Sequence, residues 1–237
     1  MVPGRKGYVQ EKPTHFFNGA VVNPFKYLEG ETIPQYLKME KKIIGGAKFL
    51  INQLGYDSRK MDELIRYRNE RGYDTPIIAN IFLLTRGAAR LMRSGGIAGA
   101  YISDELMAQL DEEFKAEDKG KAARIERAPQ MTAPAKGPGS AGVHIGGFGI
   151  TAEMFCGILD RAAELEPQWK ECYKQVNFGK PGGYYIYEEE KDAEGNGTGF
   201  NTDKHAPKPE QARSKKVFSK WGISRFAHHW VLTLGKR

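Results

Sequence analysis

The stretch Lys41–Asp57, KKIIGGAKFLINQLGYD, decides how the rest of the chain reads. Tyr36, Met39 and Ile43 fall at helical spacing, and Gly45-Gly46 ends that run where a C-terminal cap glycine is expected. Lys48–Leu54 then reads as a buried strand with a polar amide, Gln53, near its carboxyl end. Side chains alternate along a strand, so Gln53 shares a face with Phe49 and Ile51. Pointing into a parallel barrel, that face would bring Gln53 to the rim where such barrels keep their chemistry. A strand-end amide bonded to a neighbouring loop is the plainer reading, and this stretch alone favours it.

Working outward, helix and strand patterns alternate. Phe16–Val22 reads as a strand, with Asn23-Pro24 opening the loop after it, and Pro34–Ile44 as a helix whose first turn accepts the proline. After Phe49–Leu54, Ser58 is placed to cap a helix running to Arg71 with Met61, Leu64 and Ile65 on its apolar stripe. Ile77–Leu84 is the third strand and Gly87–Arg93 a short helix. Asp104 is placed to cap a helix carrying Leu106, Met107, Leu110 and Phe114. In residues 118–140 the proline-rich second half, at least Ala133–Ser140, is expected to be loop. Gly142–Phe148 is the last strand, and Thr151 caps Ala152–Leu165, whose expected core face is Phe155, Ile158, Leu159 and Ala162, with Cys156 also in the core. Such alternation implies parallel strands joined by crossover helices.

Residues 1–15 read as a linker or loop, and residues 166–237 change character. The latter hold all three tryptophans, many tyrosines and two glycine-rich turns. There Gly182–Tyr187 reads as one short strand and Glu188–Thr198 as a charged turn. An eightfold barrel needs about 200–250 residues, and the alternation here stops at Glu166-Pro167. Four strands leave two open edges, so the chain reads as truncated on its N-terminal side: a fragment, a split gene product, or half of a two-chain barrel.

Composition narrows the classes. A hydrophobic content of 40% in 237 residues supports a packed core. No apolar run approaches the roughly 20 residues of a membrane helix, and the N-terminus lacks a signal-peptide core. Cys156 and Cys172 offer neither metal-ligand spacing nor a disulfide framework, which makes a reduced, cytoplasmic setting the default. His228-His229 cannot face one metal from a helix or strand. The net charge of +7 is scattered among acidic residues, without a zinc-finger or RNA-binding signature, so a solvated basic surface is expected rather than nucleic-acid binding.

In order and spacing, these segments resemble the methylenetetrahydrofolate reductases. The family pattern is a lysine-rich helix, Gly-Ala, an apolar strand, Thr-Gln, aromatics and Asp. Gly19–Pro24 stands at the preceding strand, Thr75–Ile81 matches the strand written V-P-I-I-P-G-I, and Ser103–Glu112 resembles the helix that follows. The resemblance spans about Phe16 to Leu165. It implies an α/β fold, a partial TIM (β/α)8 barrel of about the last four βα units over 16–165. An irregular, aromatic-rich extension follows over 166–237, where Tyr184–Asp203 resembles an extension found in a bacterial subset of such proteins.

The implied activity is reduction of 5,10-methylenetetrahydrofolate to 5-methyltetrahydrofolate, with FAD as cofactor and NAD(P)H as reductant. Alternatives are a non-catalytic folate-binding or redox/methyltransferase partner subunit, or a tetrahydrofolate-dependent demethylase. Carried over residue by residue, Lys42 matches the lysine that meets flavin phosphate, Lys41 a basic neighbour of it, Lys38 a polar contact and Gln35 an acidic one. Asn23 and Tyr27 fall near a tyrosine and a histidine of the family's flavin site, displaced by a one-residue gap. Gln53 matches the glutamine that meets the folate or nicotinamide ring. The family's catalytic glutamate and the aspartate beside flavin N1 lie on strands earlier than these, so no catalytic residue is assigned. Ala89 and Thr151 stand where the family has a glutamine and the arginine for the folate tail, and Arg86 and Arg90 are nearby substitutes. A folate ligand is expected, with a second copy or a complementing N-terminal half-barrel chain as protein partner, and no membrane.

Overall fold

In the computed structural model, residues 14–96 and 100–206 are described in full, together with the backbone of two short strands. Those strands, β1 (Val2–Gly4) and β2 (Gly7–Val9), pair antiparallel within the segment expected to be linker or loop. Trp221, Trp230 and His228-His229 lie outside the described residues.

The central sheet is built from β3 (Gly19–Val22), β4 (Phe49–Asn52), β5 (Ile77–Leu83) and β6 (Gly142–Gly147). All neighbours run parallel, in the order of the chain. Parallel neighbours require long return connections. These are α1 (Glu29–Ile44), α2 (Ser58–Glu70), and the set α3 (Arg86–Arg93), α4 (Asp104–Glu113) and α5 (Lys121–Lys136). Downstream of β6 come α6 (Ala152–Leu165) and α7 (Trp169–Gln175). A hairpin, β7 (Tyr187–Lys191) with β8 (Gly197–His205), closes the described chain.

The helices cover one face of the sheet. Val22, Leu50 and Ile77 pack with Tyr36, Met39, Leu64 and Ile65, and Ala79, Ile81 and Leu83 pack with Ala128, Ala135 and Ile158. The alternate residues point the other way. Along β5 every second side chain is buried and those between are half-buried, while Val21 on β3 is 52% exposed, Phe17 77% and Phe148 70%. The sheet therefore keeps one face open among the described residues. A Cβ at Gly19 would stand 2.2 Å from the Phe49 ring, so a larger residue there would require that ring to move.

Several elements depart from their sequence reading. The α5 helix runs through Ala133, where loop was expected, carrying Pro129 and Pro134 inside it. A proline costs a helix its N–H and clashes with the preceding turn. Here Pro129, Ala133, Pro134 and Ala135 are all buried, so packing outweighs the local penalty. The caps sit one residue earlier than expected: Asp57 Oδ1 accepts from Lys60 N–H, and Ser103 Oγ from Leu106 N–H. The α1 helix begins at Glu29, ahead of the expected Pro34. On α6, Ile158 and Ala162 are buried, but Phe155, Leu159 and Cys156 are exposed. Gly182–Ile186 is not strand, and the segment expected to be a charged turn supplies most of β7.

The extension is tied to α2 by buried polar groups. Lys60 Nζ pairs with Glu63 Oε1 at 3.0 Å, both side chains being fully buried, and also donates to the Tyr184 carbonyl at 2.7 Å. Glu63 accepts from Tyr36 Oη at 2.7 Å and from Ile186 N–H at 2.5 Å. Arg59 reaches Asn201 Oδ1, Glu189 Oε2 and the Tyr187 carbonyl, while Asn201 Nδ2 returns bonds to the Arg59 carbonyl and Asp62 Oδ2. Residues 14–206 belong to a single compact unit.

Removing one partner of a buried ion pair strands the other charge, at about 3–5 kcal/mol. Lys60→Met is accordingly expected to lower the free energy of unfolding in urea by that amount. The double variant K60M/E63Q, which removes the stranded charge and keeps an acceptor for Tyr36 and Ile186, should regain a good part of it. A loss below about 1 kcal/mol for Lys60→Met, the range of surface pairs, would show that this pair does not anchor the extension.

Candidate functional site

In parallel α/β sheets, ligands bind beyond the carboxyl ends of the strands. Here those ends are Asn23 after β3, Gln53 after β4, Leu84-Thr85 after β5 and Phe148 after β6. Register places four polar side chains on one level of the open face. Val21 pairs with Ile51, and Ile51 with Ile78. Two residues on, the same face carries Asn23, Gln53 and Asn80, and Asn80 pairs with His144 on β6. The Asn80–His144 contact is direct, Oδ1 to Nδ1 at 3.1 Å. The row interrupts a face otherwise made of Val21, Phe49, Ile51, Ile78 and Phe82.

The strands hold this row in place. Gln53 N–H donates to the Val22 carbonyl at 2.7 Å, prolonging the β3–β4 ladder past its last pair. On the other side of β4, the buried Asn52 accepts from Asn80 N–H through Oδ1 at 2.8 Å, so a side chain takes over where the β4–β5 ladder stops. Gln53 Oε1 accepts from Leu54 N–H at 3.0 Å, which is the local strand-end bond of the plainer reading. Asn23 Oδ1 accepts from Phe25 N–H at 3.1 Å and shapes the turn after β3. Sequence reasoning misses Asn80 and His144. The signal for the first lies in the alternation of β5, where Asn80 is the polar side chain between Ile78 and Phe82.

The remaining expected residues lie elsewhere. Tyr27 is buried, its hydroxyl donating to Asp57 Oδ2 at 2.9 Å and its ring packed on Tyr101 and Tyr185. The extension lies directly on it: Tyr184 N–H donates to the Tyr27 carbonyl at 2.9 Å. Gln35, Lys38, Lys41 and Lys42 form a stripe on α1, the amide half-buried and the three lysines exposed. Lys42 Nζ contacts the Val21 carbonyl on β3. Arg86 and Arg90 both pair with Asp111. A narrow cavity of about 40 Å³ between the sheet, α2 and α5 has room for little more than a water. Among the described residues no group of His, Cys, Asp and Glu could hold a metal, and no helix is long and apolar enough to cross a membrane.

Against the demands of an FAD, the donors divide. Three exposed lysines suit the charge of a pyrophosphate, and Gln35 beside them can bond a hydroxyl. Tyr27 does not fit, since its hydroxyl and ring are both engaged inside the fold.

A family model described as methylenetetrahydrofolate reductase matches residues 28–152. No curated protein matches the chain. Among solved structures, an uncharacterized protein from Clostridium thermocellum, described as binding two copies of 5-methyl-5,6,7,8-tetrahydrofolic acid, aligns at 15% identity with a TM-score of 0.43. The alignment covers 63% of this chain and 53% of that one, so the chain spans about half the length of that structure.

Burial and the neighbouring Asp57 carboxylate raise the Tyr27 and Tyr185 hydroxyls far above their ordinary value, and burial with Glu63 does the same for Tyr36. A raised folded pKa contributes stability that is complete below the unfolded value, about 10, and is lost as pH climbs toward the folded one. On alkaline titration these tyrosines should stay un-ionised until the fold opens. The ultraviolet absorbance of tyrosinate should therefore show a late step coinciding with the loss of far-UV dichroism. Smooth ionisation of all 11 tyrosines near their ordinary pKa with the dichroism intact would contradict the network.

Proposed function

The chain belongs to the methylenetetrahydrofolate reductase family, and from that premise we propose that it binds a reduced folate on the open face of its sheet, as the folate-binding half of a flavin-dependent reductase barrel. The observation that carries this reading is the row Asn23–Gln53–Asn80–His144. A pterin edge alternates donors and acceptors, and carboxamides can supply both at once. The apolar residues flanking the row offer a surface for the flat ring.

The reaction is the NAD(P)H-dependent reduction of 5,10-methylenetetrahydrofolate to 5-methyltetrahydrofolate. FAD, when bound, supplies the hydride chemistry, with Lys38, Lys41, Lys42 and Gln35 holding its pyrophosphate side. Gln53 orients the folate ring, and the open face is closed by a complementing half-barrel or a second copy. A non-catalytic folate-binding subunit is the second reading. It is favoured by the engagement of Tyr27, which removes one of the expected flavin contacts.

The test is calorimetric titration of the full chain with 5-methyltetrahydrofolate. Gln53→Glu replaces a donor with an acceptor-only group, at about 1–3 kcal/mol, or roughly ten- to a hundredfold in affinity. The variant should keep its melting curve and lose that affinity. Unchanged affinity in the folded variant would remove Gln53 from the site, and absence of binding by the wild-type chain would overturn the reading. Flavin absorbance in a preparation supplied with FAD separates the reductase from the binding subunit.

A further inference from the structure

Among the described residues the central sheet ends in two unpaired edges, the outer sides of β3 and β6. Each is flanked by a helix with a charged side. Backbone groups alternate in direction along β3, and since the Val22 carbonyl serves Gln53 on β4, the Val21 carbonyl points outward. Lys42 Nζ contacts that carbonyl, as a lysine guarding a free edge does. One side of α1 faces α2, where Glu40 accepts from Tyr67 Oη. The side toward the free edge carries Lys42 and, one turn before it, Lys38, with Lys41 beside them. Lys38 and Lys41 are exposed and have no ion-pair partner among the described residues.

The β6 edge is flanked by α6, whose Arg161 faces Glu126 on α5. The side turned away from α5 leaves Phe155 38% and Leu159 37% exposed. Asp160 and Glu164 border that strip toward solvent. Glu164 is shared with Arg161, and Asp160 has no ion-pair partner among the described residues. One edge thus carries unmatched positive charge, and the other unmatched negative charge beside an uncovered apolar strip.

We propose that two copies of this chain close their sheets into one eight-stranded parallel barrel, β6 and α6 of each copy lying against β3 and α1 of the other. The inference rests on the barrel part of the reading above and not on its ligand. Four parallel strands are half of such a barrel. A two-fold axis along the strands brings unlike edges together twice, with every strand in the same direction, so the contact closes on itself. The helices α6 and α1 then run side by side in parallel. Asp160 and Glu164, in the second half of α6, come beside Lys38 and Lys41, in the second half of α1, while Phe155 and Leu159 leave water. A backbone N–H of the partner strand takes over the Val21 carbonyl, which frees Lys42 for the phosphate contact proposed above.

The experiment is sedimentation velocity of the full chain, followed by carbodiimide coupling, which joins a lysine amine to a touching carboxylate with loss of water. The two edges of one sheet lie three strand spacings, about 14 Å, apart, so a direct link between α1 and α6 joins two copies. The wild type should sediment at twice the monomer mass and yield peptides linking Lys38 or Lys41 to Asp160 or Glu164. D160K/E164K should raise the dimer dissociation constant about a hundredfold at low salt, and K38E/K41E added to it should restore the dimer. All four side chains are exposed, and a melting curve checks the fold. A monomer at every concentration, a dimer without these links, or one indifferent to D160K/E164K overturns the barrel dimer, as does an open series of larger species. A monomer that binds 5-methyltetrahydrofolate overturns the dimer and leaves the folate reading standing. A linked dimer that binds none does the reverse.

Discussion

The Lys60–Glu63 pair is the constraint on which the described structure turns. Two opposite charges one helical turn apart on α2 are taken wholly out of water. Burial pulls the Lys60 ammonium toward its neutral form, and Glu63 opposes that shift. Such a pair is tolerable only when its remaining donors and acceptors are also met. The extension meets them, through the Tyr184 carbonyl on Lys60 and the Ile186 N–H on Glu63. The α2 helix therefore needs residues 184–186 as much as they need α2. The aromatic extension is a working part of the fold.

That dependence leaves the two faces of the sheet in different conditions. On the covered face, apolar side chains from β3 to β6 meet α1, α2, α5 and α6 in continuous clusters. The open face keeps half-exposed apolar residues and one polar row. A row of amides and an imidazole would be costly in a dry core, yet at a solvated face it keeps its hydrogen bonds until a ligand replaces the water. Accessibility is one condition for a binding site, and the row satisfies it; Asn23 and Gln53 also stand at the carboxyl ends of their strands, while Asn80 and His144 lie within β5 and β6.

Most of the strand–helix alternation is legible in the sequence, because the spacing of apolar residues sets which side chains a strand or helix can bury. Boundaries slip where capping chemistry decides them, as at Asp57 and Ser103. The proline-bearing α5 escapes the sequence because local propensity speaks against it and only its burial against β5 speaks for it. Gln53 is legible as an amide at a strand end, but the row it joins is not. Asn80 and His144 become its neighbours through parallel register, a relation between strands 64 residues apart. The network around α2 is hidden for the same reason, since Arg59 and Asn201 meet across 142 residues.

Tyr27 shows how the two constraints meet. Its position after β3 suggests a flavin contact, yet its hydroxyl shares Asp57 Oδ2 with Tyr185 Oη, at 2.9 and 2.7 Å. The same carboxylate, through Oδ1, caps α2. Turning the Tyr27 side chain outward would cost Asp57 a donor and Tyr101 and Tyr185 the ring they pack against. Any cofactor held by this chain must therefore leave Tyr27 where it is. Its anionic part then falls to the exposed lysines of α1, a part of the proposed flavin surface that the extension leaves free.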